Sequence, residues 1–124
     1  MARFIIAGIN GAIAVAAGAS GAHGKWAEHL DEIGRLDQWQ TGVHYQMVHA
    51  VVLLVLALAI RVMPDSRAAR IAFALIFAGV FLFSGSLYVL CMTDVSKWGA
   101  VTPFGGLSMI AGWIACCFCS KRQK

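Results

Sequence analysis

The segment VHYQMVHAVVLLVLALAIRV, residues 43–62, decides the fold of this chain. It contains no Asp, Glu or Lys, and a single basic residue, Arg61, stands near its end. A helix of about 20 mostly apolar residues crosses the hydrocarbon core of a bilayer, because each residue adds about 1.5 Å to a path of roughly 30 Å. Backbone polar groups cannot stay unpaired in lipid, so a helix is the expected form. The segment therefore predicts a membrane-spanning helix.

Three further segments have the same character. Residues 4–22, 68–92 and 103–119 are mostly apolar, contain no Asp, Glu or Lys, and are bounded by charged or turn-forming residues. We therefore predict an all-α membrane protein, an antiparallel bundle of four transmembrane helices that forms a single domain over residues 1–124.

The composition of the whole chain excludes an ordinary soluble domain. Of the 124 residues, 60% are hydrophobic and 13% are charged, whereas soluble domains average roughly 45–50% apolar and about 25% charged residues. The net charge is +4, but the basic residues gather at helix ends and are not interleaved with exposed aromatic residues as a nucleic-acid surface requires. We expect membrane lipid as a partner, with other membrane subunits or a second copy as further partners, and no nucleic acid.

The first apolar segment has two interpretations. Arg3 precedes it and small residues end it, as in a cleaved signal peptide. The segment is long for a signal core, however, and Gly11, Ala14, Gly18 and Gly21 share one helical face. Small residues on one face allow close contact between helices in lipid. We favour an uncleaved first transmembrane helix.

Glycines inside the last two segments also indicate close helix packing. Each lowers helix propensity relative to alanine, so its expected use is the close approach of another helix. These glycines are Gly79, Gly85, Gly105, Gly106 and Gly112.

An amphipathic pattern occupies the connection between the first two segments. Its apolar residues recur at helical spacing, at Trp26, Leu30, Ile33, Leu36 and Trp39. Its charged residues take the other side, at Glu28, Asp31, Glu32 and Arg35. The pattern predicts a short amphipathic helix that either lies on the membrane surface or packs its apolar stripe on the bundle.

The basic residues predict the orientation of the chain. Seven lie at the termini and in the second connection, and only Lys25, Arg35 and Lys97 lie on the other side. The seven are Arg3, Arg61, Arg67, Arg70, Lys121, Arg122 and Lys124. Because positive residues stay cytoplasmic, we expect both termini in the cytoplasm.

Polar residues within the segments gather in the half of the bundle that should face outward. Polar groups inside a membrane are costly and usually face the bundle interior, so they indicate either a ligand-binding site or hydrogen bonds that fix helix packing. We keep both interpretations. The candidate residues are His23, His44, Tyr45, Gln46, His49, Ser84, Ser86, Tyr88 and Thr102.

No pattern in the chain indicates a metal site or an enzyme. No two histidines are four residues apart on one helix, as metal ligands often are. A metal or a haem held between helices by His23, His44 and His49 remains a minor alternative. Cys116 and Cys119 form a Cys-x-x-Cys at a basic helix end, where free thiols are expected. We therefore expect no cofactor, no metal and no catalytic activity.

Several sequence blocks resemble a known family. They are GAHG at 21–24, TGV at 41–43, YQ at 45–46, HA at 49–50, LFSGSLY at 82–88, TPFGG at 102–106 and GW at 112–113. Together they closely resemble the bacterial domain-of-unknown-function 423 membrane family, related to transmembrane protein 256. The resemblance covers residues 4–115 and implies a four-helix inner-membrane protein. It implies no activity.

These observations favour a small non-enzymatic membrane protein, either an accessory subunit of a larger complex or a structural factor. The alternative is a transporter or binder of a small or lipidic ligand, such as a quinone, at the polar cluster.

Overall fold

The computed structural model describes residues 1–120, and it is all-helical there. Four of its helices, α1, α3, α4 and α5, are long and apolar enough to cross a membrane, α5 together with the 3₁₀ helix that precedes it. The predicted all-α fold with four membrane-spanning helices is confirmed. Lys121, Arg122 and Lys124, which entered the charge count, lie outside the described residues. The elements are α1 (Ala2–Ala22), α2 (Gly24–Glu32), α3 (Leu36–Val62), α4 (Arg67–Thr93), a 3₁₀ helix (Ser96–Ala100) and α5 (Thr102–Cys116).

The boundary between α2 and α3 differs from the continuous pattern of the sequence. Gly34 adopts a positive φ of 68°, its N–H donates to Asp31 O, and the next N–H, of Arg35, donates to Leu30 O. This pair of hydrogen bonds around a left-handed glycine is a Schellman motif, which ends a helix. Leu36 and Trp39 therefore belong to α3, which begins seven residues before the predicted position 43.

The far end of α5 also differs from the sequence boundary. The helix ends at Cys116, and the following residues form tighter turns in which Cys117, Phe118 and Cys119 donate to the carbonyl three residues back. Such i to i−3 bonds commonly close the last turn of a helix.

The apolar stripe of α2 packs on the spanning helices. Leu30 has no exposed surface, and it packs in one cluster with Trp39, Leu90 and Cys91. This contact is the one expected of a connector that rests on the bundle. We call the end of the bundle that carries α2 the α2 end. The opposite end, where Arg3, Arg61, Arg67 and Arg70 lie, is called the arginine end.

The spanning helices pack mainly in chain order. α1 packs on α3, α3 on α4, and α4 on α5, whereas α1 and α5 share no extensive backbone contact. The two central helices consequently supply most of the core, which includes Leu53, Leu56, Ala72 and Ile76. Both outer helices leave broad apolar faces exposed, as a membrane protein requires.

Glycines set the close approach of α4 and α5. A Cβ at Gly79 would lie 2.8 Å from Gly105 O, and a Cβ at Gly112 would lie 2.7 Å from Cγ1 of Ile76. Only a residue without a side chain fits at such distances. Gly85 and Gly106 lie in open or ordinary surroundings, so the expected close approach holds for only part of the set.

Candidate functional site

A hydrogen-bonded chain of polar side chains joins three helices. Tyr88 of α4 donates from its hydroxyl to Oε1 of Gln46 on α3 at 2.7 Å. The amide nitrogen of Gln46 donates in turn to the backbone oxygen of Asn10 on α1 at 3.3 Å and lies 3.4 Å from Oδ1 of Asn10. Gln46 is only 5% exposed. We call these three residues the Gln46 group.

Ser84 and Gly42 bring α3 and α4 together beside this group. The Ser84 hydroxyl donates to Gly42 O at 2.7 Å, and Ser84 is buried. A Cβ at Gly42 would lie 3.0 Å from the Tyr88 ring. A side chain at position 42 would therefore press on the Tyr88 ring beside this bond.

His49 belongs to a second group. Its Nδ1 lies 2.7 Å from Tyr45 O, and its Nε2 accepts from the indole Nε1 of Trp113 on α5 at 3.1 Å. These partners assign the proton to Nδ1, because Tyr45 O can only accept and the indole N–H can only donate. The Tyr45 ring stacks on the imidazole at an interplanar angle of 6°. Both ring nitrogens are thus occupied, and metal coordination at His49 would break one of these hydrogen bonds.

A third pair fixes the start of α5. The hydroxyls of Ser86 and Thr102 lie 2.7 Å apart, and the Ser86 hydroxyl also lies 2.9 Å from Phe83 O. Ser86 is buried. The pair holds the beginning of α5 against α4.

The two remaining candidates, His23 and His44, lie apart from these groups. Both are exposed, and neither forms a side-chain hydrogen bond within residues 1–120. Residues 44 and 49 point in directions about 140° apart, since successive residues of a helix turn by about 100°. The nine candidates therefore divide into the Gln46 group with the adjacent Ser84–Gly42 bond, the His49 group, the Ser86–Thr102 pair and two exposed histidines.

Sequence reasoning missed two members of these groups. Asn10 was detectable as an amide within an otherwise apolar segment, which is costly in lipid unless it finds a partner. Trp113 gave no such signal, because a tryptophan in a transmembrane segment is equally typical of the membrane interface.

Most buried polar side-chain atoms of the described residues have a hydrogen-bond partner. Within residues 1–120, the buried side-chain atoms that lack one are Trp26 Nε1 and Gln38 Oε1, and both lie outside the three groups. The same part of the chain holds no set of three His, Cys, Asp or Glu side chains placed to bind a metal. All four cysteines are free thiols.

An open groove borders the Gln46 group. It lies between α1 and α4, has a volume of about 340 Å³ and is lined by Asn10, Gln46, Ser84 and Tyr88 together with apolar side chains such as Ile13 and Phe81. The Gln46 group thus combines satisfied hydrogen bonds with an accessible face.

Comparison with known proteins identifies the family. Residues 17–106 match the model of a family described as proteins of unknown function, DUF423. The chain belongs to the DUF423 family. It is 45% identical over 115 residues to the UPF0382 membrane protein YwdK of Bacillus subtilis, an alignment that covers 92% of each protein. No solved structure matches it.

Other relatives cover similar shares of this DUF423 chain. A UPF0382 membrane protein of Staphylococcus aureus is 40% identical over 117 residues, which are 92% of this chain and 91% of the relative. One from Haemophilus influenzae is 37% identical over 118 residues, which are 94% and 90%. Their names and the four apolar helices agree that the protein is an integral membrane protein.

Proposed function

We propose that this protein is a non-enzymatic accessory or structural protein of the bacterial inner membrane. The observation that carries the proposal is the pairing of the buried candidate side chains with one another or with groups of neighbouring helices. Gln46, His49 and Ser84 each bond across a helix interface. Hydrogen bonds of this kind hold transmembrane helices together, and they occupy both ring nitrogens of His49.

The exposed face of α1 supports an accessory role. Gly11, Ala14, Gly18 and Gly21 face α3, where Ala14 is fully buried and a Cβ at Gly18 would lie 3.3 Å from Val43. A second set of small residues on α1 stays exposed, namely Gly8, Ala12, Ala16 and Ala19. Small residues four apart suit close contact with another transmembrane helix. We infer that this second face receives a helix of a partner subunit.

The proposal is tested by comparing native complexes of two variants. Ala12→Trp fills the exposed face of α1, whereas Ala111→Trp makes the same change at an exposed position of α5. We expect the wild type and Ala111→Trp, extracted in polymer-bounded native membrane discs, to migrate with a partner protein, and Ala12→Trp to migrate without it. A wild-type protein that migrates alone, with no second protein or copy, would overturn the accessory role.

The groove beside the Gln46 group supports a second candidate, a binder of a small or lipidic ligand. Its apolar walls suit a hydrophobic body, and the polar side chains of Gln46 and Tyr88 belong to its lining. This function requires a small molecule in the native discs that is identified by mass spectrometry and is lost in Gln46→Leu. If the wild-type protein carried this small molecule and migrated without a partner protein, the ligand-binding function would be favoured over the accessory role.

We also propose that both termini face the cytoplasm. Support comes from the seven-to-three division of the basic residues, and five of the six acidic residues lie on the side proposed to be periplasmic. A reporter fused at the C-terminus should give cytoplasmic activity, and one inserted in the connection 93–102 should give periplasmic activity. The opposite pattern would contradict the orientation.

A further inference from the structure

A large cavity lies at the arginine end, where α1 begins, α3 ends and α4 begins. Its volume is about 800 Å³, within the range of about 300–1,000 Å³ that is usual for ligand pockets. Three basic side chains, Arg3, Arg61 and Arg70, line it together with apolar residues that include Phe4 and Ile60. Neither the Gln46 group nor the exposed face of α1 includes these arginines.

No carboxylate within residues 1–120 forms a salt bridge with the arginines of this cavity. Within residues 1–120, the salt bridge of the protein joins Arg35 and Asp94 at the α2 end. Asp65 lies in the connection between α3 and α4, but it is exposed and makes no salt bridge with the described residues. Arg70 is held by donation from Nη1 to Pro64 O at 2.7 Å. Three arginines therefore line one cavity, and two of them, Arg3 and Arg61, form no hydrogen bond or salt bridge within the described residues.

The cavity combines this charge with apolar walls. Guanidinium groups bind phosphate oxygens through paired charge-assisted hydrogen bonds. Phe4 and Ile5 line the cavity on α1, and Ile5 is 55% exposed, so the apolar wall continues onto the membrane-facing surface of this helix. Free phosphate would use the charges but not the apolar wall, whereas a lipid uses both. Basic pockets between transmembrane helices are known to bind anionic headgroups.

We propose that this cavity binds the phosphate headgroup of an anionic phospholipid, with an acyl chain along Phe4 and Ile5. Arg3 and Arg61 reach the phosphate, and Arg70, fixed by Pro64, completes the site. The inference is independent of the accessory role, because it concerns a different end of the protein.

Two matched variants distinguish binding at this specific cavity from attraction by general surface charge. In one, Arg3 and Arg61 are both replaced by Gln; within residues 1–120 these side chains form no hydrogen bond or salt bridge, so the fold should persist. In the other, Arg67→Gln removes an exposed charge from the first turn of α4 that does not line the cavity. Unchanged helicity and thermal midpoint without added lipid would confirm that both variants are folded.

The experiment measures lipid retained by the purified protein. Detergent-solubilised protein is mixed with phosphatidylglycerol, with phosphatidylcholine or with inorganic phosphate, and bound molecules are counted by native mass spectrometry. We expect selective retention of phosphatidylglycerol by the wild type and Arg67→Gln, and a roughly tenfold loss of affinity in the Arg3→Gln, Arg61→Gln variant.

Three results would overturn the proposal. If the double variant and Arg67→Gln lost affinity for phosphatidylglycerol equally, general surface charge would explain the binding and no specific site would be needed. If the wild type retained phosphatidylcholine as well as phosphatidylglycerol, the arginines would not select an anionic headgroup. Displacement of the lipid by inorganic phosphate at equal concentration would make this a site for free phosphate.

Discussion

Replacing Gly105 with alanine is expected to destabilise the protein by roughly 1–3 kcal/mol or more, because the added methyl group overpacks a close helix interface. A Cβ at this position would lie 2.7 Å from Gly79 O and 2.8 Å from the Cα of Phe83. Both are backbone atoms of α4, so no side-chain rotation relieves the contact. The methyl group can be accommodated only if α4 and α5 separate.

The neighbouring glycine gives a matched control with the opposite expectation. A Cβ at Gly106 would meet only the ring of Phe83, at 3.9 Å, which is an ordinary contact. Alanine favours a helix over glycine by about 1 kcal/mol, so Gly106→Ala should be neutral or slightly stabilising. Reversible unfolding in mixed detergent micelles measures both free energies. Equal stability of the two variants would contradict the close packing of α4 on α5.

The fold was largely predictable because lipid imposes strong rules. Segment length and hydropathy alone locate helices that must span about 30 Å, and the face of α1 with Gly11 and Ala14 does pack against α3. Helix ends were less predictable. The start of α3 depends on the positive φ of Gly34. In the sequence, the amphipathic pattern continues through this glycine, so the break between the two helices was not visible.

The sequence predicted how deep in the membrane each polar residue lies, but not which neighbouring helix its side chain faces. The candidates, His23, His49, Ser84 and Tyr88 among them, were expected to lie near one another. Ser84 and Tyr88 do form hydrogen bonds across the α3–α4 interface, to Gly42 O and to Gln46, whereas His23 is exposed and lies apart. His49 lies at a matching depth but bonds to α5 through Trp113. Depth follows from position along a segment, whereas direction depends on which neighbour each helix face meets. A single sequence does not contain that information.

Trp39 is the residue whose truncation should have the largest effect at the α2 end. It is 8% exposed, its Nε1 donates to Ala17 O at 2.8 Å, and its ring lies against Tyr88 with centroids 4.7 Å apart. A Cβ at Gly21 would lie 2.6 Å from Nε1, so α1 is shaped to receive this indole. Trp39 thereby links α1, α3 and α4. Truncation of a buried tryptophan to alanine costs roughly 3–5 kcal/mol.

The variants Trp39→Ala, Trp39→Phe and Trp98→Ala divide this effect into its physical parts. Trp39→Phe keeps most of the ring contact but removes the hydrogen bond to Ala17, which is worth about 1 kcal/mol. Trp98 lies on the 3₁₀ helix and is 42% exposed, so Trp98→Ala should cost much less than Trp39→Ala. Thermal unfolding in detergent gives the order of the three. If Trp39→Ala and Trp98→Ala were equally stable, Trp39 would contribute no more than an exposed interfacial tryptophan, and α1 would be held to α3 mainly by its small-residue face.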